Sequence, residues 1–185
     1  MNPQSLSNRV TFSSDLGWIG LTISSDEWNR PQVDHLTFGH ASELLASEAL
    51  DLRPQTGTHS KLDFDPNPSL RDWIDRLQHF AAGRSVDLSD LRINLGYLTD
   101  FGCRVIDACR DVPWGETASY GELARRAGSP GASRAVGGVM ARNRHPLVVP
   151  CHRIIASNGA QVGFSAPDGT KMKQRLLQNE KKHVS

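Results

Sequence analysis

A thiol, an imidazole and a guanidinium stand side by side in Val149-Pro150-Cys151-His152-Arg153, behind a proline that fixes one backbone dihedral and just before the apolar pair Ile154-Ile155. A free cysteine has a pKa near ~8.5, so it is a weak nucleophile at neutral pH unless positive charge or a base stabilises its thiolate. His152 and Arg153 are residue types that supply such an environment. The chemistry this trio supports is attack by sulfur. A buried structural cysteine beside a surface basic pair is the competing reading. Cys103 and Cys109 make the thiols odd in number, widely spaced and free of any CxxC pair, which indicates neither a disulfide framework nor a cysteine-rich metal site. No metal is expected.

The 185 residues suffice for one domain or two small ones, with 38% hydrophobic and 22% charged residues, ordinary values for a soluble globular protein. No apolar run approaches the ~20 residues needed to span a bilayer, and the polar start MNPQSLSNRV lacks the apolar core of a signal peptide. An intracellular protein with no membrane partner is expected. The net charge of +1 hides an asymmetry: residues 1–97 carry 8 Lys/Arg against 13 Asp/Glu, and residues 98–185 carry 13 against 7. A basic carboxyl-terminal half suits a polyanion such as DNA or RNA, or attraction to the acidic half.

The elements that must position the trio follow from periodicity. Residues 10–23 alternate around Asp15-Leu16-Gly17 and are expected to form a β-hairpin, with a further strand at 33–38. Helical spacing covers 40–52 and 68–82, separated by the polar stretch 55–67, and 91–95 is expected to be a short strand. In the second half Thr99 or Asp100 caps a helix that buries Phe101, Val105, Ile106 and Cys109. Ser119-Tyr120-Gly121-Glu122 has the pattern of a capping box and opens a helix through Ala127. Gly128-Ser129-Pro130-Gly131 ends it, and a second helix rich in small residues spans 132–141, with Arg134 near its start. Two short helices joined by a tight Gly-containing turn resemble a helix-turn-helix, and equally a structural helical hairpin. Ala132, Ser133, Ala135, Gly137 and Gly138 leave room for a phosphate backbone, a groove wall or a second helix to approach closely. Asn158-Gly159 marks a tight hairpin turn within 153–162, and 170–182 closes the chain as a helix with Met172, Leu176 and Leu177 inward. Glu180, in the last turn of that helix, opposes the helix dipole. It either has a partner elsewhere or faces water.

Taken together, Ser119-Tyr120-Gly121-Glu122-Leu123-Ala124, Ser133-Arg134-Ala135-Val136-Gly137-Gly138-Val139-Met140, Asn143, Pro146 and Val149-Pro150-Cys151-His152-Arg153-Ile154-Ile155 resemble the O6-alkylguanine-DNA alkyltransferases, the methylated-DNA–protein-cysteine methyltransferases, in order and spacing. The resemblance spans about residues 98–180. It implies an α+β protein: a small N-terminal α/β domain of ribonuclease H-like type at 1–95 with a structural role, then a mostly helical alkyltransferase and DNA-binding domain at 96–185 with a helix-turn-helix element. The implied reaction is a stoichiometric, irreversible transfer of an alkyl group from O6 of guanine, with O4 of thymine a second candidate, to Cys151. The implied partner is double-stranded DNA carrying O6-alkylguanine, met by a monomer without a cofactor, in the cytoplasm or nucleoid of a bacterium or the nucleus of a eukaryote.

The resemblance also implies roles. His152 and Glu180, through a water, take the thiol proton; Asn143 braces the network and the turn before the cysteine; Tyr120 donates to N3 of the base. Arg134 fills the gap left by the rotated nucleotide, with Ala132, Ser133, Ala135 and Gly137 lying in the minor groove, and Phe164, Ser165, Ile154 and Met140 form the base pocket. The chain departs from the family at Gly163-Phe164-Ser165-Ala166-Pro167-Asp168-Gly169, where members often have Tyr or Phe followed by Ser/Gly-Gly-Gly. Which backbone N–H meets O6 is therefore left open. No cysteine precedes Cys103 to hold the zinc that some members carry. Three other readings compete: a non-catalytic damage-binding protein, against which Cys151 argues; a helix-turn-helix regulator with a sensing cysteine; and a cysteine hydrolase, which needs an oxyanion hole.

Overall fold

Gly17 reverses the chain at φ 99°, a conformation that side chains disfavour, and a Cβ there would lie 2.8 Å from the His40 carbonyl oxygen. The turn joins β1 (Ser7–Phe12) to β2 (Trp18–Ser25) as antiparallel neighbours with Val10 opposite Leu21. The computed structural model describes residues 7–51, 59–61 and 68–182. β3 (Pro31–His40) pairs antiparallel with β2, and β4 (His59–Lys61) adds to β1 in parallel, giving the order β3-β2-β1-β4. α1 (Glu43–Asp51) buries Ala46 and Leu50. A Cβ on Gly20 of β2 would sit 3.1 Å from a Leu50 methyl, so glycine lets helix and strand approach. α2 (Pro68–Ala81) buries Leu70, Trp73, Leu77 and Phe80 at helical spacing, while Arg76 pairs with Asp72 and Asp90. These elements belong to one compact unit, Met1–Ala82 with Val86–Asn94.

Three differences from the sequence reading arise here. α1 begins at Glu43 because β3 runs on to His40 and the Ser42 hydroxyl accepts the Leu45 N–H at 3.3 Å. The strand expected at 91–95 is reduced to one parallel bridge between Val33 and Ile93, held by Val33 N to Arg92 O and Asn94 N to Val33 O. β4 was not expected, since His59-Ser60-Lys61 has no apolar alternation and joins the sheet through backbone pairing. Leu52 and residues 55–58 and 62–67, read above as a helix end and a polar stretch, lie outside the described residues.

The second unit is Gly83–Ser85 with Leu95–Ser185. Thr99 opens α3 (Asp100–Arg110), its hydroxyl accepting the Gly102 N–H, and the helix buries Val105, Ile106 and Cys109. Phe101, expected inside, is half-buried. The capping box forms: Ser119 Oγ accepts the Glu122 N–H at 3.1 Å, and a Glu122 carboxylate oxygen accepts the Ser119 N–H at 2.6 Å. It starts α4 (Tyr120–Arg126), which a turn through Gly128 and Gly131, both at positive φ, joins to α5 (Ser133–Ala141). β5 (Ala118–Ser119) pairs in parallel with β6 (Ile154–Ile155), and α6 (Thr170–Lys181) closes the chain. The Asn158-Gly159 turn forms, with Ala156 N bonded to Ala160 O at 2.9 Å. Its outgoing arm is not a strand, because β6 pairs with β5 instead. No helix among the described residues is long and apolar enough to cross a membrane.

Replacing Ser119 by Ala removes the cap that starts α4. Urea unfolding should show a loss of about 1 kcal/mol with the denaturant slope unchanged.

Candidate active site around Cys151

Pro150 leads into a single 3-10 turn, Cys151–Arg153, that hydrogen-bonds Arg153 N to Pro150 O at 2.9 Å. The turn presents three neighbouring side chains to different surroundings. Cys151, only 7% exposed, receives a hydrogen bond from Asn143 Nδ2 to its sulfur at 3.2 Å. The orientation of that amide is fixed at its other end, where Oδ1 accepts the His145 N–H at 2.9 Å, and Nδ2 also donates to Val149 O at 3.2 Å. Burial pushes the Cys151 thiol up, against the Asn143 hydrogen bond and the Lys173 charge, which pull it down. The net direction is upward, so the resting group is a thiol that must lose a proton before it attacks.

His152 is fully buried and its Nε2 lies 2.7 Å from Glu180 Oε1. Glu180, 1% exposed, also accepts from Arg153 through Nε at 3.1 Å and Nη2 at 3.0 Å, and from Gly115 N at 3.0 Å. Arg153 Nη1 donates to Val112 O at 2.7 Å, and Trp114 Nε1 donates to the Glu180 carbonyl at 3.1 Å. Burial works to raise the Glu180 carboxyl, but the hydrogen bond from His152 and the hydrogen bonds and charge of Arg153 outweigh it and hold the group below its ordinary range. For His152, burial lowers the imidazole and outweighs Glu180. The pair is therefore a carboxylate beside a neutral imidazole. A carboxylate only accepts, so Nε2 carries the hydrogen and Nδ1 the lone pair that can take a proton.

Cys151 opens into a cavity of about 790 Å³. Tyr120 and Gly121 wall it from the start of α4; Ser133, Arg134, Gly137, Met140 and Ala141 from α5; and Ala156, Ser157, Val162, Gly163, Phe164 and Ser165 from the segment after β6. The Tyr120 hydroxyl donates to Val162 O at 3.5 Å, and burial raises its phenol. Of the residues singled out in the sequence, Cys151, Tyr120, Ser133, Arg134, Gly137, Met140, Phe164 and Ser165 meet at this cavity. Asn143, His152 and Glu180 lie buried behind it. Ala132 and Ala135 lie outside the lining, Ala135 being exposed.

Ile154 is a correction. Expected in the base pocket, it is fully buried and does not line the cavity, because its place in the β5–β6 ladder turns it inward. The sequence reading named Gly121 and Gly163 only within longer motifs and missed Ala141, Ala156, Ser157, Val162 and Lys173. For Lys173 a signal existed, since Lys173, Leu176, Leu177 and Glu180 follow the spacing of one helix face. Among the described residues no group of three or more His, Cys, Asp and Glu could hold a metal ion.

A family profile described as 6-O-methylguanine DNA methyltransferase, DNA binding domain, matches residues 100–182, the stretch that carries Cys151 and its partners. A methylated-DNA–protein-cysteine methyltransferase of Mycobacterium leprae is 37% identical over 148 residues, covering 79% of this chain and 85% of the relative. The chain belongs to the methylated-DNA–protein-cysteine methyltransferase family. Among solved structures, Mycobacterium tuberculosis OGT in complex with DNA superposes with a TM-score of 0.71 at 30% identity, covering 95% of this chain and 93% of that one. The O6-methylguanine-DNA methyltransferase of Pyrococcus kodakaraensis KOD1 gives 0.64 at 25% identity over 95% and 99%. The methyltransferase likeness thus extends over both units, and these relatives share its mixed α/β character.

The charge states set a pH dependence. The unfolded His152 takes a proton near its ordinary 6.5, whereas the folded one resists it, so stability is fully present above about pH 6.5 and falls as pH drops below it. Glu180, held down in the folded state, adds a second loss below about 4.5. Melting temperatures should therefore fall from pH 7.5 to pH 5, and His152→Gln should flatten that slope. Glu180→Gln leaves Arg153 buried without its counter-charge and should cost about 3–5 kcal/mol by chemical denaturation.

Proposed function

We propose that this protein repairs double-stranded DNA by moving the alkyl group from O6 of guanine onto Cys151 in one irreversible event. The observation that carries the reading is the placement of the Cys151 thiol at a cavity floor, with Asn143 on its sulfur and the buried His152–Glu180 pair alongside, in a chain of this family. The proton leaves sulfur for His152 Nδ1, directly or through water, while Glu180 stabilises the imidazolium that forms. The sulfur–carbon bond forms as the carbon–O6 bond breaks, and the electron pair passes into the purine. Tyr120, which lines the same cavity, supplies a proton at N3 of the departing base. Thiol, imidazole, phenol and base account for every electron pair and proton, so no cofactor enters. The product is a thioether with no route back to the thiol, which makes each molecule single-use.

A guanine inside the stack cannot reach this floor, so the nucleotide must rotate out. The α4–α5 pair is read as a helix-turn-helix that lies in the minor groove with Arg134, which is exposed at the cavity edge, filling the vacated stack. Exposed Ala135 and Ala141 and half-exposed Gly137 and Gly138 support close approach to DNA on that side. Residues 1–95 are read as a ribonuclease H-like domain, a reading supported by the order β3-β2-β1-β4 with β4 parallel to β1.

Incubation with an O6-methylguanine duplex should place one methyl group on the Cys151 peptide and restore guanine, with no further turnover. Unmodified Cys151 after saturating binding would exclude alkyl transfer, and multiple turnovers would point to hydrolysis. Arg134→Ala should slow reaction with the duplex by about tenfold or more while sparing free O6-benzylguanine base. Equal losses on both substrates would remove its role in base rotation.

A further inference from the structure

Asn143 reaches the Cys151 sulfur from a short turn whose own position has to be fixed. Its amide is held at three points: Nδ2 donates to the sulfur and to Val149 O, and Oδ1 accepts the His145 N–H. A planar amide tied in this way follows any movement of the His145 backbone. The turn is anchored behind by Asn143 N to Met140 O at 3.2 Å and ahead by Val149 N to His145 O at 2.8 Å. Between these anchors Arg144 and His145 both rest on Tyr97, a side chain from the turn at 95–98 that leads into α3 and is closed by Leu98 N to Leu95 O at 2.9 Å. The Arg144 N–H donates to the Tyr97 hydroxyl at 3.4 Å, and the Arg144 guanidinium lies 4.1 Å from the ring centroid. The His145 imidazole is tilted 40° to the same ring at 6.1 Å. Tyr97 and Arg144 are half-buried and His145 fully buried, so the stack is partly withdrawn from water, where a cation over an aromatic face gains most.

We propose that Tyr97 is a positioning residue for alkyl transfer, its ring seating Arg144 and His145 so that the Asn143 amide faces the Cys151 sulfur. This deepens the reading given above and rests on Cys151 being the acceptor. The hydrogen bond from Asn143 favours negative charge on the sulfur, and such a bond weakens steeply once donor and acceptor lose alignment. The other groups that face the thiol come from different elements: Lys173 of α6, whose Nζ donates to Ile154 O at 2.6 Å and Val162 O at 3.4 Å, Cys109 of α3 and Tyr120 of α4. The neighbouring His152 and Arg153 are held by Glu180. Tyr97 therefore reaches the sulfur through one donor, the Asn143 amide.

The test compares Tyr97→Leu, which removes ring and hydroxyl, with Tyr97→Phe, which keeps the ring under Arg144, in the full-length protein. Cys151 alkylation by iodoacetamide without DNA is followed from about pH 6 to about pH 10 by peptide mass spectrometry, beside the rate of methyl transfer from an O6-methylguanine duplex. In Tyr97→Leu the reactivity midpoint should rise by about half a pH unit or more and transfer at neutral pH should slow about threefold. Tyr97→Phe should stay near the unaltered protein in both. In an Asn143→Ser background Tyr97→Leu should move the midpoint no further, because the donor it positions is gone. An unchanged midpoint in Tyr97→Leu overturns the positioning role even if the melting temperature falls, and a Phe variant shifted as far as Leu removes the role of the ring. The same shift repeated in the Asn143→Ser background overturns the route through Asn143. If Tyr97→Leu does not fold by circular dichroism, Arg144→Gln, which takes the cation off the ring, replaces it in both comparisons. A Tyr97-dependent midpoint in a protein that never accepts methyl overturns the repair reading and leaves the Tyr97 assignment standing; methyl transfer with a midpoint indifferent to Tyr97 does the reverse.

Discussion

The interaction on which the second unit depends is the seating of the Glu180 carboxylate. It takes hydrogen bonds from His152, Arg153 and Gly115 while its own carbonyl receives Trp114. A carboxylate taken out of water is tolerated only when its lone pairs are this fully occupied. Three separate stretches of chain therefore converge on one acid: the 112–115 turn after α3, the 3-10 turn holding the cysteine, and the end of α6. Arg153 ties the first two together directly, since it also reaches Val112 O. The position that is unfavourable for the helix dipole becomes the one that locks the last helix against the site.

This arrangement separates two demands that would conflict on one residue. A thiolate needs a favourable field, yet a permanently ionised sulfur would react with any electrophile. Here burial keeps the thiol protonated at rest, and the field that offsets burial comes from Asn143 and Lys173. In the proposed reaction, proton removal falls to a neutral histidine held by an anion. On the proposed reading, reactivity belongs to the cavity when a substrate fills it, with the Tyr120 hydroxyl held at the wall by Val162 O.

Much of the local structure was legible in the sequence. Capping at Thr99 and Ser119, the turn at Gly17 and the amphipathic spacing of α2, α3 and α6 are encoded within a few residues, where side-chain and backbone chemistry act directly. What escaped was set by distant partners. β4 exists because β1 offers an open edge, and the arm after Asn158-Gly159 stays irregular because β5 claims β6. Ile154 was expected in the base pocket from the family resemblance, and its side chain instead lies fully in the core. Lys173 was passed over because an inward lysine contradicts the usual rule for charge, and only its carbonyl partners justify it.

The β5–β6 ladder is only two residues long on each side, yet it joins Ser119, next to Tyr120, to Ile155, four residues from Cys151. Its spacing comes from backbone hydrogen bonding and not from side-chain packing. It acts as a ruler between phenol and sulfur. Substitutions among Ala156, Ser157, Val162 and Phe164 can reshape the cavity without altering that span, so cavity shape and the spacing of phenol and sulfur are free to evolve independently.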